Sequence, residues 1–473
     1  MPQRILLTTV VLFVALGAGT ADAQPVVAVR GLTLDDLPAL ARHGAVGLLV
    51  PNAGPTTSAA LALAGIERGA LHNARLGPRP DGPVLIHVRT ASAIPSARGA
   101  VMLALPPARA VRNDQRYPIA VLGACRGILV SARTRVPGLV SAADIAPHAL
   151  RCRSGRDAAT TLQRLESRIE TARATTFPAL LIVLFTVLAL AVVAPAAALP
   201  ALYAGLAANL ALGLVPEGGA EPRLALFALC TIGGGLTRRA LPGTAVVAAY
   251  AVAMAVQPVA LSFAPLSPEL TGRFYGVSNV VETLLLVPAL AGAAQLGRRF
   301  GPPAFAGAAV LAIATVAENR LGDDAGGALV LAVGFAVLGT LLGRRVLSSA
   351  VATVTAVALL GIDALVSSAD HLRSALSLSG LLAVVEHRVP LAYARAAPQW
   401  YLLLPFGAAL SLLTRCRSHP VALALGAALA VSLLVNDSPE AVVLAGLASL
   451  VALEARIVHD ALPRPLVLAR ARA

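Results

Sequence analysis

The sequence FPALLIVLFTVLALAVVAPA at residues 177–196 predicts a membrane-spanning helix. It contains no charged residue, and its length matches the roughly 20 residues that an α-helix needs to cross the hydrocarbon core of a bilayer. The whole chain shares this character, with 57% hydrophobic and 13% charged residues. Soluble domains are about one quarter charged. The composition therefore excludes an ordinary soluble protein and predicts an integral membrane protein whose first partner is the lipid bilayer.

Further apolar runs follow on the C-terminal side and predict about eleven membrane-spanning helices in all. The predicted spans lie near 177–196, 199–215, 223–237, 242–263, 279–297, 303–317, 326–342, 347–362, 399–414, 421–435 and 440–455. Several are shorter than the usual span, so the sequence predicts eleven spans to within one. Small residues are abundant in them and permit close helix packing in lipid. We predict an all-α polytopic bundle over residues 176–456.

The first 23 residues have the three parts of a secretory signal peptide. Arg4 supplies a positive start, residues 5–16 form a short apolar core, and Ala21-Asp22-Ala23 gives a small-residue cleavage site before Gln24. The alternative is an uncleaved first helix. Both interpretations predict that the chain from Gln24 onward begins outside the cytoplasm.

Residues 24–157 predict a small extracytoplasmic α/β domain. Short apolar runs typical of buried strands, such as residues 26–29 and 46–50, alternate with helical spacing at residues 34–43 and 57–71. This alternation favours a parallel sheet. The polar residues 158–175 that follow predict a helical or flexible stalk leading to the membrane.

The distribution of charge predicts the orientation of the spans. All 38 basic residues are Arg, and many lie in pairs between apolar runs. The loops predicted to face the cytoplasm carry Arg238, Arg239, Arg298, Arg299, Arg344, Arg345, Arg415 and Arg417, and a basic tail at 457–473 follows. The loops predicted to face outward carry Glu217, Glu221, Glu269, Glu318, Asp323, Asp370 and Glu440. Positive residues mark the cytoplasmic side. We therefore predict a multi-pass cell-membrane protein with residues 24–175 outside and the C-terminus in the cytoplasm.

Polar residues close to the predicted spans form the candidate functional site, because such groups are costly near hydrocarbon. The candidate substrate-binding residues are Arg273, Tyr275, Asn279, Glu282, Asp324, Asp363, His371, Asn436 and Asp437. Arg273 suits an anionic group such as phosphate or carboxylate. The acidic residues suit a cation, a sugar or a proton relay. The alternative is helix capping, which Asp and Asn at a helix start perform well, and we favour capping for Asp324 and Asp437.

The four cysteines predict no metal site, since no pair has the spacing of metal ligands. Cys125 and Cys152 lie in the predicted exported domain, where a disulfide is chemically permitted. The alternative is that they are two small buried residues. No cofactor is predicted. The sparse aromatic residues, 4% of the chain, also argue against a nucleic-acid partner.

Several segments of the exported domain resemble the ends of an alkaline-phosphatase-superfamily domain. They are residues 26–31, 37–47, 54–58, 135–141 and 144–150, the last of which resembles the closing Asp-Ile-Ala-Pro-Thr helix of that superfamily. Similar domains occur fused to polytopic membrane regions in uncharacterised actinobacterial proteins. The resemblance implies a truncated alkaline-phosphatase-like fold, a two-metal site and a Ser or Thr nucleophile.

This chain departs from that pattern at the residues that would carry the chemistry. Arg30 stands where the first strand would deliver a metal-binding Asp, and His148 replaces the usual Thr. Thr56, Thr57 or Ser58 occupies the nucleophile position, but no neighbouring residue would activate a hydroxyl. We therefore expect a degenerate, non-catalytic domain.

The leading hypothesis is a membrane protein that transports or flips a lipid-linked or anionic envelope component through an outward-facing polar pocket. Two alternatives remain. One is an enzyme, either a transferase acting on a lipid-linked donor or a phosphoesterase. The other is a structural or assembly protein of the envelope.

Overall fold

A computed structural model describes most of the α/β region and most of the helical region. The described residues are 10–13, 26–54, 56–69, 87–90, 100–123, 125–131, 133–145, 150–215, 218–237, 242–268, 275–318, 321–322, 324–343, 345–366, 398–436 and 438–461, with the single positions 379, 386 and 390.

The first part of the chain forms a small α/β region, as the sequence predicts. Its strands are β1 (Val10–Phe13), β2 (Val26–Ala28), β3 (Gly44–Val50), β4 (Thr56–Thr57), β5 (His87–Thr90), β6 (Val101–Leu103), β7 (Val111–Arg112), β8 (Tyr117–Leu122), β9 (Gly127–Val130), β10 (Leu139–Ser141) and β11 (Arg151–Ser154). Its helices are α1 (Leu37–Ala41) and α2 (Ala59–Arg68). Helix α2 begins where the Ser58 hydroxyl accepts a hydrogen bond from the Leu61 amide, and it ends at Gly69, whose φ is 61°.

The central sheet is mixed, so the expectation of a parallel sheet is wrong. Its strand order is β11-β9-β3-β8-β6-β2, and β10 also pairs with β3. Strand β3 runs parallel to β9 and β10 but antiparallel to β8. The reason lies in residues 123–126, which alone connect β8 to β9. This connection is far too short for the crossover that parallel strands need, so the chain turns around the end of β3 and reverses direction.

The core of the α/β region lies on both faces of β3, in which every residue is buried. Leu40 of α1 and Ile66 of α2 belong to this core, and so do Leu162 and Ile169, which lie C-terminal to the last strand. Burial of apolar side chains at about 25 cal/mol per Å² is the main source of such stability. The predicted stalk therefore contributes to the core of the α/β region.

A disulfide joins Cys125 and Cys152 across the edge of the sheet. Their Cα atoms are 6.2 Å apart, which lies within the usual range for a disulfide. Cys125 immediately precedes β9, and Cys152 lies in β11, which pairs antiparallel with β9. The bond therefore fastens the edge strand β11 to its only neighbour in the described part of the sheet.

One long helix, α3 (Ala158–Val193), connects the α/β region to the helical region. It has 36 residues and contains Pro178 near its middle. Residues of its first half, such as Leu162, belong to the core of the α/β region, and residues of its second half, such as Val187, belong to the core of the helical region. The predicted stalk at 158–175 is thus helical and packed against the sheet.

The rest of the described chain is almost entirely helical. The helices are α4 (Pro195–Leu214), α5 (Ala220–Leu236), α6 (Gly243–Val256), α7 (Asn279–Phe300), α8 (Pro302–Ala317), α9 (Ala325–Leu341), α10 (Arg345–Val366), α11 (Leu403–Arg415), α12 (Pro420–Val435) and α13 (Pro439–Ala461). Among the described residues, four helices (α3, α4, α7 and α13) are long and apolar enough to cross a membrane. That the shorter helices also cross the membrane stays a prediction.

The outer surface of the helical region is rich in large apolar side chains. Phe185 is 62% exposed, Val192 83%, Leu229 68% and Leu404 82%. Large apolar patches on a protein surface commonly mark a contact with another protein or with a membrane. This exterior is consistent with a protein that is embedded in lipid.

Two predicted end segments are described only in part. Strand β1 lies within the predicted signal peptide and pairs antiparallel with β5 in the intact chain. Removal of residues 1–23 by a signal peptidase stays a prediction. Residues 462–473, most of the predicted basic tail, lie outside the described residues.

Candidate functional site

The first turn of α7 places a buried carboxylate inside the helical region, near one end of the bundle. Ser278 begins this helix, because its hydroxyl accepts a hydrogen bond from the Val281 amide at 3.2 Å and donates one to the Leu266 carbonyl at 2.8 Å. Glu282, one turn further on, is completely buried. A buried carboxylate requires hydrogen-bond donors to offset the loss of water.

Asn436, at the end of α12, supplies a donor to that carboxylate. Its Nδ2 lies 2.8 Å from Glu282 Oε2 and 2.7 Å from Ser432 Oγ. Ser432 and Asn436 are four residues apart, so they share one face at the end of α12. A polar contact between residues 154 positions apart in the chain thereby joins α7 to α12.

Asp324 begins α9 beside the same contact. It is 2% exposed, and its Oδ1 accepts a hydrogen bond from the Gly327 amide at 3.1 Å. A Cβ atom on Gly326 would lie 3.4 Å from both Asp324 Oδ1 and Asn436 Oδ1, and a Cβ atom on Gly327 would lie 3.3 Å from Glu282 Cγ. The start of α9 therefore lies against the other two helices. We refer to Glu282, Asp324, Ser432 and Asn436 as the Glu282 cluster.

Two glycines hold together the turns that lead into α7 and α9. Gly276 has a φ of 87°, and a Cβ atom there would clash with the carbonyl oxygen of Gly322. That oxygen accepts a hydrogen bond from the Val277 amide at 2.9 Å. The contact between the two turns fixes the relative positions of Glu282 and Asp324.

The Glu282 cluster lies at the end of the bundle that carries the α/β region. Tyr275, just before α7, is 4% exposed and belongs to the core cluster of the α/β region. The guanidinium carbon of Arg135 lies 4.3 Å from the centre of the Tyr275 ring, a cation–π contact. Phe263 is buried in the same core and lies under Arg168 at 3.9 Å.

The structure brings together three of the predicted site residues: Glu282, Asp324 and Asn436. Tyr275 is separate, because it packs against the α/β region. Asn279 is half-buried in the first turn of α7, where its carbonyl accepts a hydrogen bond from the Thr283 hydroxyl at 2.7 Å. Four predicted positions lie outside the residues or side chains that the structure describes: Arg273, Asp363, His371 and Asp437.

Capping explains part of this cluster. Asp324 caps α9, which is the role that we favoured from the sequence. Ser278, rather than Asn279, caps α7. The carboxylate of Glu282 contacts the side chain of Asn436 on another helix, so capping of its own helix does not account for it.

Ser432 and Arg223 are two of the buried polar residues that the sequence patterns did not single out. Ser432 has a detectable signal, because it lies four positions before Asn436 on a helix. Arg223 is 6% exposed in α5 and donates hydrogen bonds to the carbonyls of Leu212 and Phe263, the latter at 2.9 Å. A single Arg at the start of a predicted span was its only sequence signal.

In this chain, the residues that resemble phosphatase motifs stabilise the fold through capping, burial and ion pairing. Ser58 caps α2, and Thr57 is completely buried in β4. Asp144 is also buried, and it pairs with Arg133 Nε at 2.8 Å and accepts a hydrogen bond from Ser131. Burial raises the pKa of Asp144 above its usual range, although Ser131 and Arg133 oppose that shift. Among the described residues, no group of three or more His, Cys, Asp or Glu residues is placed to hold a metal ion.

Comparisons with known proteins give no match: no family model, no curated protein and no solved structure is similar to this chain. The functional argument therefore depends on the geometry of the residues themselves.

Proposed function

We propose that this chain is an integral protein of the cell membrane that transports or flips a lipid-linked or anionic component of the envelope. The Glu282 cluster forms the polar centre of the pathway, at the outer end of the bundle. The α/β region, a degenerate phosphatase-like domain, lies outside the membrane and takes no part in covalent chemistry.

The single observation that carries the proposal is the contact between Glu282 Oε2 and Asn436 Nδ2. It places a fully buried carboxylate between α7 and α12, with Asp324 of α9 beside it. Ionisable groups inside a membrane bundle commonly mark substrate, ion or proton pathways. Three helices meet at this one polar contact, so a change in its protonation or occupancy would alter how they pack.

In the proposed pathway, the anionic substrate binds beside the segment that precedes α7, next to the Glu282 cluster. Arg273, two positions before Tyr275 in the sequence, carries the type of charge that binds phosphate or carboxylate. Glu282 follows in the first turn of the helix. Helix N-termini that point at anionic substrate groups recur in transporters, because the positive end of the helix dipole favours negative charge.

The test uses a strain from which the gene has been deleted. The lipid or glycan that accumulates in this strain is identified first, and variants of the protein are then tested for their ability to restore its normal level. The variant Glu282→Gln keeps the size of the side chain and removes its titratable carboxyl group. We expect it to reach wild-type levels in the membrane and to lose activity by about tenfold or more, which corresponds to about 1.4 kcal/mol or more in transition-state or substrate stabilisation.

Glu221→Gln is the matched control. Glu221 is also an acidic residue in the first turn of a helix, α5, but it is exposed. It is expected to complement fully. Full complementation by Glu282→Gln would instead show that the cluster is only structural, and the proposed pathway would be wrong.

A further inference from the structure

The exposed edge of the central sheet carries a row of arginines. Strand β11 is the edge strand, and Arg151 and Arg153 alternate along it with Cys152. Arg126 lies just before the neighbouring strand β9, and Arg156 follows β11. All four arginines are exposed. We call Arg126, Arg151, Arg153 and Arg156 the basic edge.

The register of the ladder places three of these arginines on one face. Arg151 is opposite Val130, and Arg153 is opposite Ile128. The ladder continues with a hydrogen bond from the Gly155 amide to the Arg126 carbonyl at 3.3 Å. Residues two apart on a strand, and residues opposite each other, share a face. Arg126, Arg151 and Arg153 therefore share one face, with about 6.6 Å between successive positions along β11.

The charge of the basic edge is not compensated within the described residues. The structure shows no ion pair for any of its four arginines there, whereas the nearby Arg133 pairs with the buried Asp144. Charged residues on an edge strand also prevent strands from pairing between molecules. Prevention of strand pairing does not require four arginines on an edge that the Cys125–Cys152 disulfide also fastens.

The position of the basic edge argues against the surface of the bilayer as its partner. Arg156 lies next to the start of α3 at Ala158, and the apolar half of α3 begins near Phe177. At 1.5 Å per residue, these two points are about 28 Å apart along the helix. This spacing favours a partner that extends away from the lipid headgroups.

The chemistry of the edge favours an extended polyanion. Guanidinium groups bind phosphate oxygens in pairs of hydrogen bonds. No Phe, Tyr or Trp residue occurs between Tyr117 and Phe177, so this segment lacks the large aromatic side chains on which bases stack. We infer that the basic edge binds a linear, phosphate-bearing polymer of the envelope. The inference depends on the proposed location of the α/β region outside the membrane, but not on the role of Glu282.

The test measures binding of fluorescein-labelled linear inorganic polyphosphate to the full chain in a detergent with an uncharged headgroup. A variant with all four arginines of the basic edge changed to Gln is expected to bind about tenfold more weakly, because several exposed charge contacts are lost together. Binding to the wild-type chain is expected to weaken steeply with added salt. The circular dichroism spectrum and the elution volume of the variant check that it is folded.

The matched control changes four other exposed arginines of the α/β region, Arg30, Arg42, Arg109 and Arg112, to Gln. It removes the same net charge and is expected to bind within about twofold of the wild-type chain, because it leaves the four guanidinium groups of the basic edge in place. Equal loss in both variants would show that only net charge matters, and the inference would be overturned.

Two further measurements complete the test. Binding of the basic edge to phosphatidylglycerol vesicles but not to polyphosphate would identify a lipid surface as the partner and overturn the inference. The Glu282→Gln chain is expected to bind polyphosphate as the wild-type chain does. Failure of the transport proposal would therefore leave this result unchanged.

Discussion

Gly276→Ala is expected to prevent the helical region from folding correctly, with a loss of about 3 kcal/mol or more in stability. Two costs combine at this position. A φ of 87° strains any residue that has a Cβ atom, and here that atom would also clash with the carbonyl oxygen of Gly322. Because the clash is with backbone, it can be relieved only if the turns before α7 and α9 separate. The measurement is the fraction of monodisperse protein recovered from membranes, together with its thermal unfolding in detergent.

Gly301→Ala is the control for that prediction. Gly301 has a φ of 85°, but the nearest atom to a Cβ there is Pro303 Cδ at 3.8 Å. The variant should carry only the backbone strain, about 1–3 kcal/mol. Equal losses in the two variants would mean that the Gly276–Gly322 contact contributes nothing to folding.

Arg116→Ala is expected to loosen the α/β region from α3 and to cost about 2–3 kcal/mol. The guanidinium of Arg116 is buried and forms paired hydrogen bonds to Glu166, with Nε to Oε2 at 2.8 Å, and a further one to Glu170. Burial disfavours the charge of Arg116, but the two carboxylates outweigh that cost and raise its pKa above the usual value. The expected loss is below that of a fully buried pair, because Glu170 is 52% exposed and its contribution is screened by water.

Hydrogen exchange and thermal unfolding measure this effect. Faster exchange is expected in residues 113–117 and in the first half of α3. Arg112→Ala is the control, because the side chain of Arg112 is 79% exposed and contacts Asp114 at 3.4 Å. It should change stability by less than about 0.5 kcal/mol. A stable Arg116→Ala chain with unchanged exchange would show that the α/β region is held by apolar packing alone.

The positions of the helices in the second part of the chain were predictable from the sequence because local signals determine them. Apolar runs set the extent of most of them, but the run predicted at 242–263 forms an α-helix only over α6, Gly243–Val256. The run predicted at 303–317 is helix α8, Pro302–Ala317, which begins at a proline after Gly301. The run predicted at 279–297 is α7, which begins at Asn279 as expected and continues to Phe300.

Strand direction was not predictable in the same way. The apolar runs at residues 26–29 and 46–50 identified β2 and β3, but such a run is the same for parallel and antiparallel pairing. The direction is set by tertiary pairing, in which β3 accepts β8 on one side and β9 on the other. The Arg116–Glu166 contact has the same origin, because it joins residues 50 positions apart.

The candidate site was predictable in part. Polar residues beside apolar runs identified Glu282, Asp324 and Asn436, because such residues are costly there. Tyr275 was assigned to the same site because it is close in sequence. The turn at Gly276 instead separates it, so that Tyr275 packs under Arg135 while Glu282 enters the bundle.

The most direct test of the proposed membrane orientation is thiol labelling in intact cells with a membrane-impermeant maleimide. Cys230 and Cys416, the free cysteines among the described residues, are first changed to Ser. Gln163→Cys then places a thiol on the exposed side of the first half of α3, and Phe300→Cys places one at the end of α7 without removing Arg298 or Arg299. We predict that the Gln163→Cys chain is labelled in intact cells and that the Phe300→Cys chain is labelled only after permeabilisation. Labelling of both positions in intact cells, or of Phe300→Cys alone, would contradict the proposed orientation and remove the Glu282 cluster from the outer side of the membrane.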